Sequence, residues 1–244
     1  MKRAYLTIDD GPSQYRRERV NILKKYGIQA IWFSTGEALR ERKDDALYTI
    51  EQGGIIGNHS FSHPNFSQLS LEQCYNEIKM TDEIIEEIYE MVGVIRPTKV
   101  FRFPYGDKGV EKGFYDFNYS AKEKERIDEI QGYLKSLNYE RSPEDTIHYG
   151  YFEKLKEMKH LDWYWTYDVM EWCTFQKQPP YGVRTLEDIL ELMELDLPEQ
   201  WMGLNSQMSD EIIVIHDHPE TIEFFEPSIK GLLEKGIQFH TYHS

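Results

Sequence analysis

The sequence predicts a parallel α/β fold, and three observations carry that reading. Short apolar strand patterns alternate with helix patterns along nearly the whole chain, the rhythm of βαβ units. The chemistry-bearing polar residues fall just after strand patterns: Asp9-Asp10, His59/His63, Arg102–Tyr105, Asp168–Trp172 and His216-Asp217. Barrels and open α/β sheets build their sites at that edge, and a scatter of structural polar residues would not favour it. Finally, 244 residues with 40% apolar content can bury a large core without disulfides.

The elements follow in order. Ala4–Ile8 is a strand halted by Gly11-Pro12. Arg17–Tyr26 reads as a helix with Val20, Ile22 and Leu23 on its apolar side and Gly27 at its stop. Gln29–Phe33 is a strand, Asp44–Gln52 a helix ending at Gly53-Gly54, and Ile55–Asn58 a third strand that delivers the histidine pair. Ser70–Met91 is a long helix with Ser70 and Gln73 at capping-box spacing. Val100–Arg102 is a strand ended by Pro104. The stretch 107–148 breaks the rhythm: it is rich in Tyr, Lys and Glu, carries a polar helix over about Ser120–Asn138, and reads as an insertion. Beyond it, Tyr151–Met158 is helical, Asp162–Tyr167 strand-like and Leu186–Leu195 helical. Glu211–Ile215 is a buried strand, Glu226–Lys235 a helix and Ile237–Tyr242 a last strand. Repeats and low-complexity tracts are absent, and the chain reads as one domain over 1–244.

Composition excludes some partners. A formal net charge of −15 argues against nucleic acid and anionic membranes, which need a basic face. No apolar run reaches membrane-spanning length, and Met1-Lys2-Arg3 enters the first strand with no apolar leader. The expectation is a cytoplasmic protein, or an exported one if the chain was trimmed. Cys74 and Cys173 lack ligand spacing and read as free buried thiols. Five Trp and 17 Tyr suit a protein that handles sugar rings, although a Tyr-rich core and surface accounts for most of them.

Taken residue by residue, His59 and His63 lie four apart and can close on one metal ion, with the Asp9-Asp10 pair as a source of the third ligand. Neighbouring strand residues point to opposite faces, so the two carboxylates are expected to divide their roles, one on the metal and one free to take a proton. Pro64 disfavours α conformation at His63, which places the pair on a turn. Arg102 offers a cation to hold an aspartate ionised, and Tyr105 offers a backbone N–H to an oxyanion. His216 arrives at the same rim as an acid, oriented by a carboxylate from Asp168–Trp172; His218 is a weaker candidate. His148, His160, His240 and His243 lack motif context and read as surface residues. Each feature alone also fits a turn, a surface ion pair or a structural histidine.

Together, Thr7-Ile8-Asp9-Asp10-Gly11-Pro12, His59-x-x-x-His63, Arg102-x-Pro104-Tyr105, Asp168–Trp172 and Val214-x-His216 occur in an order that resembles the polysaccharide deacetylase family, also called the NodB homology domain or carbohydrate esterase family 4. The resemblance implies an α/β fold of the distorted (β/α) barrel type, with the long insertion, about 107–148, after the Arg102 strand. It also implies a divalent metal, zinc first with cobalt or nickel as alternatives, held by Asp10, His59 and His63. By the same resemblance Asp9 is the base, Arg102 positions it, and the Tyr105 N–H meets the oxyanion. Glu171 and Trp172 match the fourth motif and His216 the fifth, with Tyr105 and Trp172 against substrate. Departures are Ile8 for Phe, Phe103 for a frequent Pro, Val214 for Leu, and Glu171 where an Asp orients the histidine, which leaves Asp168 as a rival partner.

The implied reaction is hydrolysis of an N-acetyl, or O-acetyl, group on a carbohydrate, with acetate released. A hydrolase of small soluble amides and a silent carbohydrate-binding relative are the alternatives. An aspartyl phosphatase reading ranks last, because it leaves the histidine pair unexplained.

Overall fold

The computed structural model describes residues 2–113, 115–143, 145–195, 204–205 and 209–242. Its centre is a parallel sheet in the order β3-β2-β1-β5-β4, formed by β1 (Arg3–Asp10), β2 (Ala30–Ser34), β3 (Ile55–Asn58), β4 (Tyr167–Asp168) and β5 (Glu211–His216). The short β6 (Gln238–Phe239) pairs with the first residues of β1. These strands are buried along nearly their full length, as parallel strands covered on both faces must be. The register sets Asp9 beside His216 on one side and Phe33 on the other, and Ser34 beside Asn58. Functional side chains from distant parts of the chain therefore reach one level.

The ladder bends round on itself without closing continuously. Beyond β3, Asn58 bridges Phe101, and Phe101 bridges Asp162. Five residues later the same segment pairs with β5 as β4. The strand expected over Asp162–Tyr167 is thus split, its start serving one edge of the sheet and its end the other. The strand expected over Val100–Arg102 contracts to the single bridge at Phe101. Such broken edges are the distortion of the barrel.

Alternation along the strands sorts two cores. Leu6, Ile8, Ala30, Trp32, Ile213 and Ile215 pack outward under the helices. Ile31, Phe33, Ile55 and Ile212 pack with Val100 and Trp163 in a separate cluster. On β1, Thr7 and Asp9 alternate with the outward Leu6 and Ile8, which sets a polar pair on the inner side.

Eight helices accompany these strands among the described residues: α1 (Arg16–Tyr26), α2 (Gly36–Glu41), α3 (Lys43–Glu51), α4 (Leu71–Val92), α5 (Ala121–Ser136), α6 (Gly150–Met158), α7 (Leu186–Glu194) and α8 (Ile222–Glu234). The Ser70/Gln73 capping box opens α4, and a second box, Ser120/Glu123, opens α5 in the insertion. The six-residue α2 is too short to show a period and escapes sequence reading, although Thr35 caps it. The last helix starts four residues before the expected Glu226. Pro227 removes one ladder hydrogen bond but not the apolar face that Phe225, Ile229 and Leu232 bury.

Both cysteines are free and buried. No helix among the described residues is long and apolar enough to cross a membrane. Two histidines expected at the surface are drawn inward. His160 is buried beside Asp162, and His240 stacks on Tyr5 with ring centroids 4.4 Å apart. His148 is exposed, and His243 lies outside the described residues.

Candidate active site

The end of β1 supplies the two aspartates. Asp9 is buried, and its Oδ1 accepts from Arg102 Nη1 at 2.7 Å. The same nitrogen reaches Thr7 Oγ1 at 2.8 Å, while Arg102 Nε donates to the Trp163 carbonyl at 3.0 Å. The guanidinium lies 4.3 Å from the Phe33 ring centre. Burial lowers the Arg102 pKa and the Asp9 charge opposes it, but a guanidinium stays cationic throughout. Strand alternation would send Asp10 to the other face. It does not, because Asp10 takes a left-handed φ of 74°, a region that Asp tolerates, and the backbone swings its carboxylate back to the same cavity.

The turn after β3 brings the histidines to Asp10. Ser60 and His63 are also left-handed, with φ of 65° and 58°. Asn58 Oδ1 accepts from Ser60 N at 2.9 Å, and Glu77 of α4 accepts from Phe61 N and Ser62 N at 2.9 and 2.8 Å. So fixed, His63 Nε2 lies 3.0 Å and His59 Nε2 3.5 Å from Asp10 Oδ1, and His59 Nε2 is 3.8 Å from Asp9 Oδ2. The donor atoms of Asp10, His59 and His63 all fall within 4.8 Å of one another. His59 Nδ1 is 2.8 Å from the Arg102 carbonyl, which only accepts, so that nitrogen carries the hydrogen and Nε2 keeps its lone pair for the cavity. Burial pushes the His59 pKa down to about 4, against Asp9 and with the help of His63. Burial also works to raise the Asp10 carboxyl, yet hydrogen bonds with His218 and His63 hold it well below the usual carboxylate range. Two imidazoles and one carboxylate, converging in this way, fit a divalent cation such as zinc.

On the other side of β1 a second cluster forms from Asp168, Glu171 and His216. Glu171 is fully buried; its Oε1 accepts from His216 N at 2.6 Å and lies 3.0 Å from His216 Nδ1. Asp168 is occupied elsewhere, accepting from Met170 N at 2.8 Å and Trp172 Nε1 at 3.2 Å. Of the two acids left open by the sequence, Glu171 is the one hydrogen-bonded to His216. The left-handed Met170, φ 63°, makes the turn that separates them. Burial alone would lower the His216 pKa, but the Glu171 charge and hydrogen bond, then Asp168 and Asp10, raise it to about 10. Burial raises Asp168 to about 6, against the pull of His216.

Both clusters open into one cavity of about 590 Å³, walled by Phe103, Tyr105, Trp165, Trp172 and Phe175. Tyr105, φ 57°, projects its exposed ring against His63 at 4.6 Å between centroids. Among the described residues, none from 107–148 lines this cavity. Instead the insertion clamps the segment before α4: Arg126 donates to the carbonyls of Phe66 and Leu69, and Asp107 accepts from Ser67 N. An open groove of about 740 Å³ beside Tyr75 and Tyr133 contains no histidine.

Sequence reading gave too little weight to one site residue. His218 Nε2 lies 2.5 Å from Asp10 Oδ2. The signal was there: His216 and His218 share a face at period two, and Asp217 between them points the other way. Asp217 is held in a buried cluster by Arg16 Nε at 2.5 Å, Arg19 Nη1 at 2.9 Å and Ser13 Oγ at 2.7 Å.

Fold and site together define an α/β protein with a candidate His₂-carboxylate metal site. The sequence model described as polysaccharide deacetylase matches residues 1–116 of this chain. The chain is 27% identical over 246 residues to a peptidoglycan-N-acetylglucosamine deacetylase of Bacillus cereus, covering 99% of this chain and 70% of that protein. It is 36% identical over 102 residues to the peptidoglycan-N-acetylmuramic acid deacetylase PdaC of Bacillus subtilis, a match that spans 41% of this chain and 21% of that one. Among solved structures, a family 4 carbohydrate esterase from Streptomyces lividans in complex with acetate shares the fold, with a TM-score of 0.62 at 20% identity over 99% of this chain and 93% of that one.

Proposed function

We propose that this chain is a metal-dependent hydrolase that removes the N-acetyl group from an amino sugar, leaving acetate and a free amine. One observation carries the reading. A carboxylate held by a buried arginine, Asp9, adjoins the Asp10–His59–His63 centre, and His216, hydrogen-bonded to the buried Glu171, faces the same cavity. Binding alone requires neither pair.

Asp10, His59 and His63 would hold a divalent ion, which when bound would supply Lewis acidity and lower the pKa of water. Asp9, held by the Arg102 hydrogen bond, takes a proton from the attacking water as the water oxygen bonds to the acetyl carbon. The Tyr105 N–H stabilises negative charge on the former carbonyl oxygen. As the C–N bond breaks, His216 gives a proton to the departing nitrogen from the ring nitrogen that Glu171 does not engage, and Glu171 holds the imidazole in register. Trp172 and the other aromatics wall the space for the acetyl methyl and the sugar ring.

The names of the relatives make N-acetylated peptidoglycan sugars the first substrates to try. The test is acetate release from peptidoglycan fragments, chitooligosaccharides, free N-acetyl hexosamines and acetylxylan, before and after chelation and with Zn²⁺, Co²⁺ or Ni²⁺ restored. Asp9→Asn is expected to bind metal and lose at least ~10²-fold in turnover. Undiminished turnover in Asp9→Asn, or activity indifferent to chelator, would refute the mechanism.

A further inference from the structure

The two oxygens of Asp10 are used differently. Oδ1 faces His63 Nε2 at 3.0 Å and His59 Nε2 at 3.5 Å. Oδ2 instead lies 2.5 Å from His218 Nε2. His218 stands outside the group of donor atoms that lie within 4.8 Å of one another. An ionised carboxylate only accepts hydrogen bonds, so the imidazole nitrogen at Oδ2 is the donor.

The histidine is set in place by its surroundings. Its backbone carbonyl accepts from Arg19 Nη2 at 2.6 Å and from Thr221 Oγ1 at 3.1 Å. Arg19 is itself locked to the buried Asp217. On the cavity side, the His218 ring lies against Phe175 with centroids 5.3 Å apart. A long surface side chain in a loose ion pair would show none of these constraints. Asp10 needs such a holder. It ends its strand in a left-handed conformation, and its carboxylate is partly exposed.

We propose that His218 is a positioning residue of the metal centre, donating to Asp10 Oδ2 so that the carboxylate presents Oδ1 alone to the cation. The inference rests on the metal-hydrolase reading above. It makes the centre a four-residue device in which His218 sets the coordination mode of a neighbouring ligand without touching the ion. Partners of this kind typically change metal affinity by 10–100-fold when removed.

The experiment compares full-length wild type, His218→Ala, His218→Gln and Asp10→Ala. Zn²⁺ affinity is read by competition with a chromophoric chelator, and the visible spectrum of the Co²⁺ form is recorded. Near-ultraviolet circular dichroism checks the fold. His218→Ala is expected to bind Zn²⁺ about 10–100-fold more weakly, with an altered Co²⁺ spectrum. His218→Gln, whose amide can donate the same bond, is expected to recover most of that loss. Wild-type affinity and spectrum in His218→Ala, beside a clear loss in Asp10→Ala, would overturn the proposal. So would a His218→Ala protein as empty as Asp10→Ala, since His218 would then be a ligand, or a Gln variant no better than Ala. If the wild type captures no ion, the metal-hydrolase reading fails first, and that outcome is told apart by the behaviour of wild type itself.

Discussion

His59 and His216 flank β1 at the mouth of one cavity, both close to carboxylates, and they are driven in opposite directions. His59 is pushed down to about 4 and His216 up to about 10. Burial lowers both, so burial cannot be the discriminator. The difference lies in what each Nδ1 meets. For His59 it is the Arg102 backbone carbonyl at 2.8 Å, a neutral acceptor. For His216 it is the fully buried Glu171 carboxylate at 3.0 Å. A neutral imidazole suits a metal ligand and a protonated one suits a general acid. On the proposed reading, the partner of Nδ1 is the main difference that would suit one ring to metal and the other to acid chemistry.

The largest test of this contrast removes each ring in turn. His59→Ala should abolish high-affinity metal binding and drop turnover to background. His216→Ala should keep the metal affinity of wild type while turnover falls by ~10²–10⁴-fold. Metal titration of the two variants, followed by acetate-release kinetics, checks the split. Equal metal loss in both would mean that the two clusters form one unit and the contrast is false.

A finer test exchanges the partner and leaves the ring. Glu171→Gln keeps a side chain of the same length but removes the charge that raises His216. Burial then acts with less opposition, so the His216 pKa falls from about 10. In wild type the protonated ring persists through neutral pH and is lost as pH rises through about 10. In Glu171→Gln the alkaline limb of kcat/KM should move down by at least ~1 pH unit. An unmoved limb would show that Glu171 does not set the state of His216. Asp168→Asn should move it less, since Asp168 already bonds Met170 and Trp172.

The sequence showed which residues would gather, but not how the backbone would turn to gather them. The histidine pair, the Asp-Asp-Gly-Pro turn and the Ser70 cap are local, and local chemistry is legible. Asp10 was not: alternation predicts that it faces away from Asp9, and only the left-handed φ brings the two together. Glu171 and Asp168 were indistinguishable, three residues apart on an unseen turn, until the position of Met170 separated them. The barrel's distorted edge was hidden for a similar reason. One segment serves both ends of the sheet, and no period in a single strand records a pairing with two partners. His160 was misjudged because its burial depends on α5 and the segment around Asp162, which the sequence does not place together.

The smallest expected effect lies in the insertion and extends the same rule to a lysine. Lys108 is buried among the rings of Phe117, Tyr119 and Tyr164, at 4.5, 5.7 and 4.6 Å from their centres. Its Nζ has no hydrogen-bond partner among the described residues, and burial lowers its pKa to about 8 despite the charge of Asp162. Like His59, it is a buried base without a carboxylate in hydrogen-bond contact. The folded state releases this proton near pH 8 and the unfolded state near 10.5. Between those values the unfolded chain binds more protons, so wild-type stability rises with pH across that window and carries the full burial penalty below it. Lys108→Met keeps the volume and removes the charge. It loses a cation–π attraction of about 0.5–2 kcal/mol and escapes a desolvation cost of several kcal/mol. The expected outcome is a net gain of about 1 kcal/mol at pH 7, seen as a higher Tm, that shrinks as the comparison is moved to pH 10. A variant less stable than wild type at pH 7 would mean that the three rings satisfy the ammonium as well as a carboxylate does.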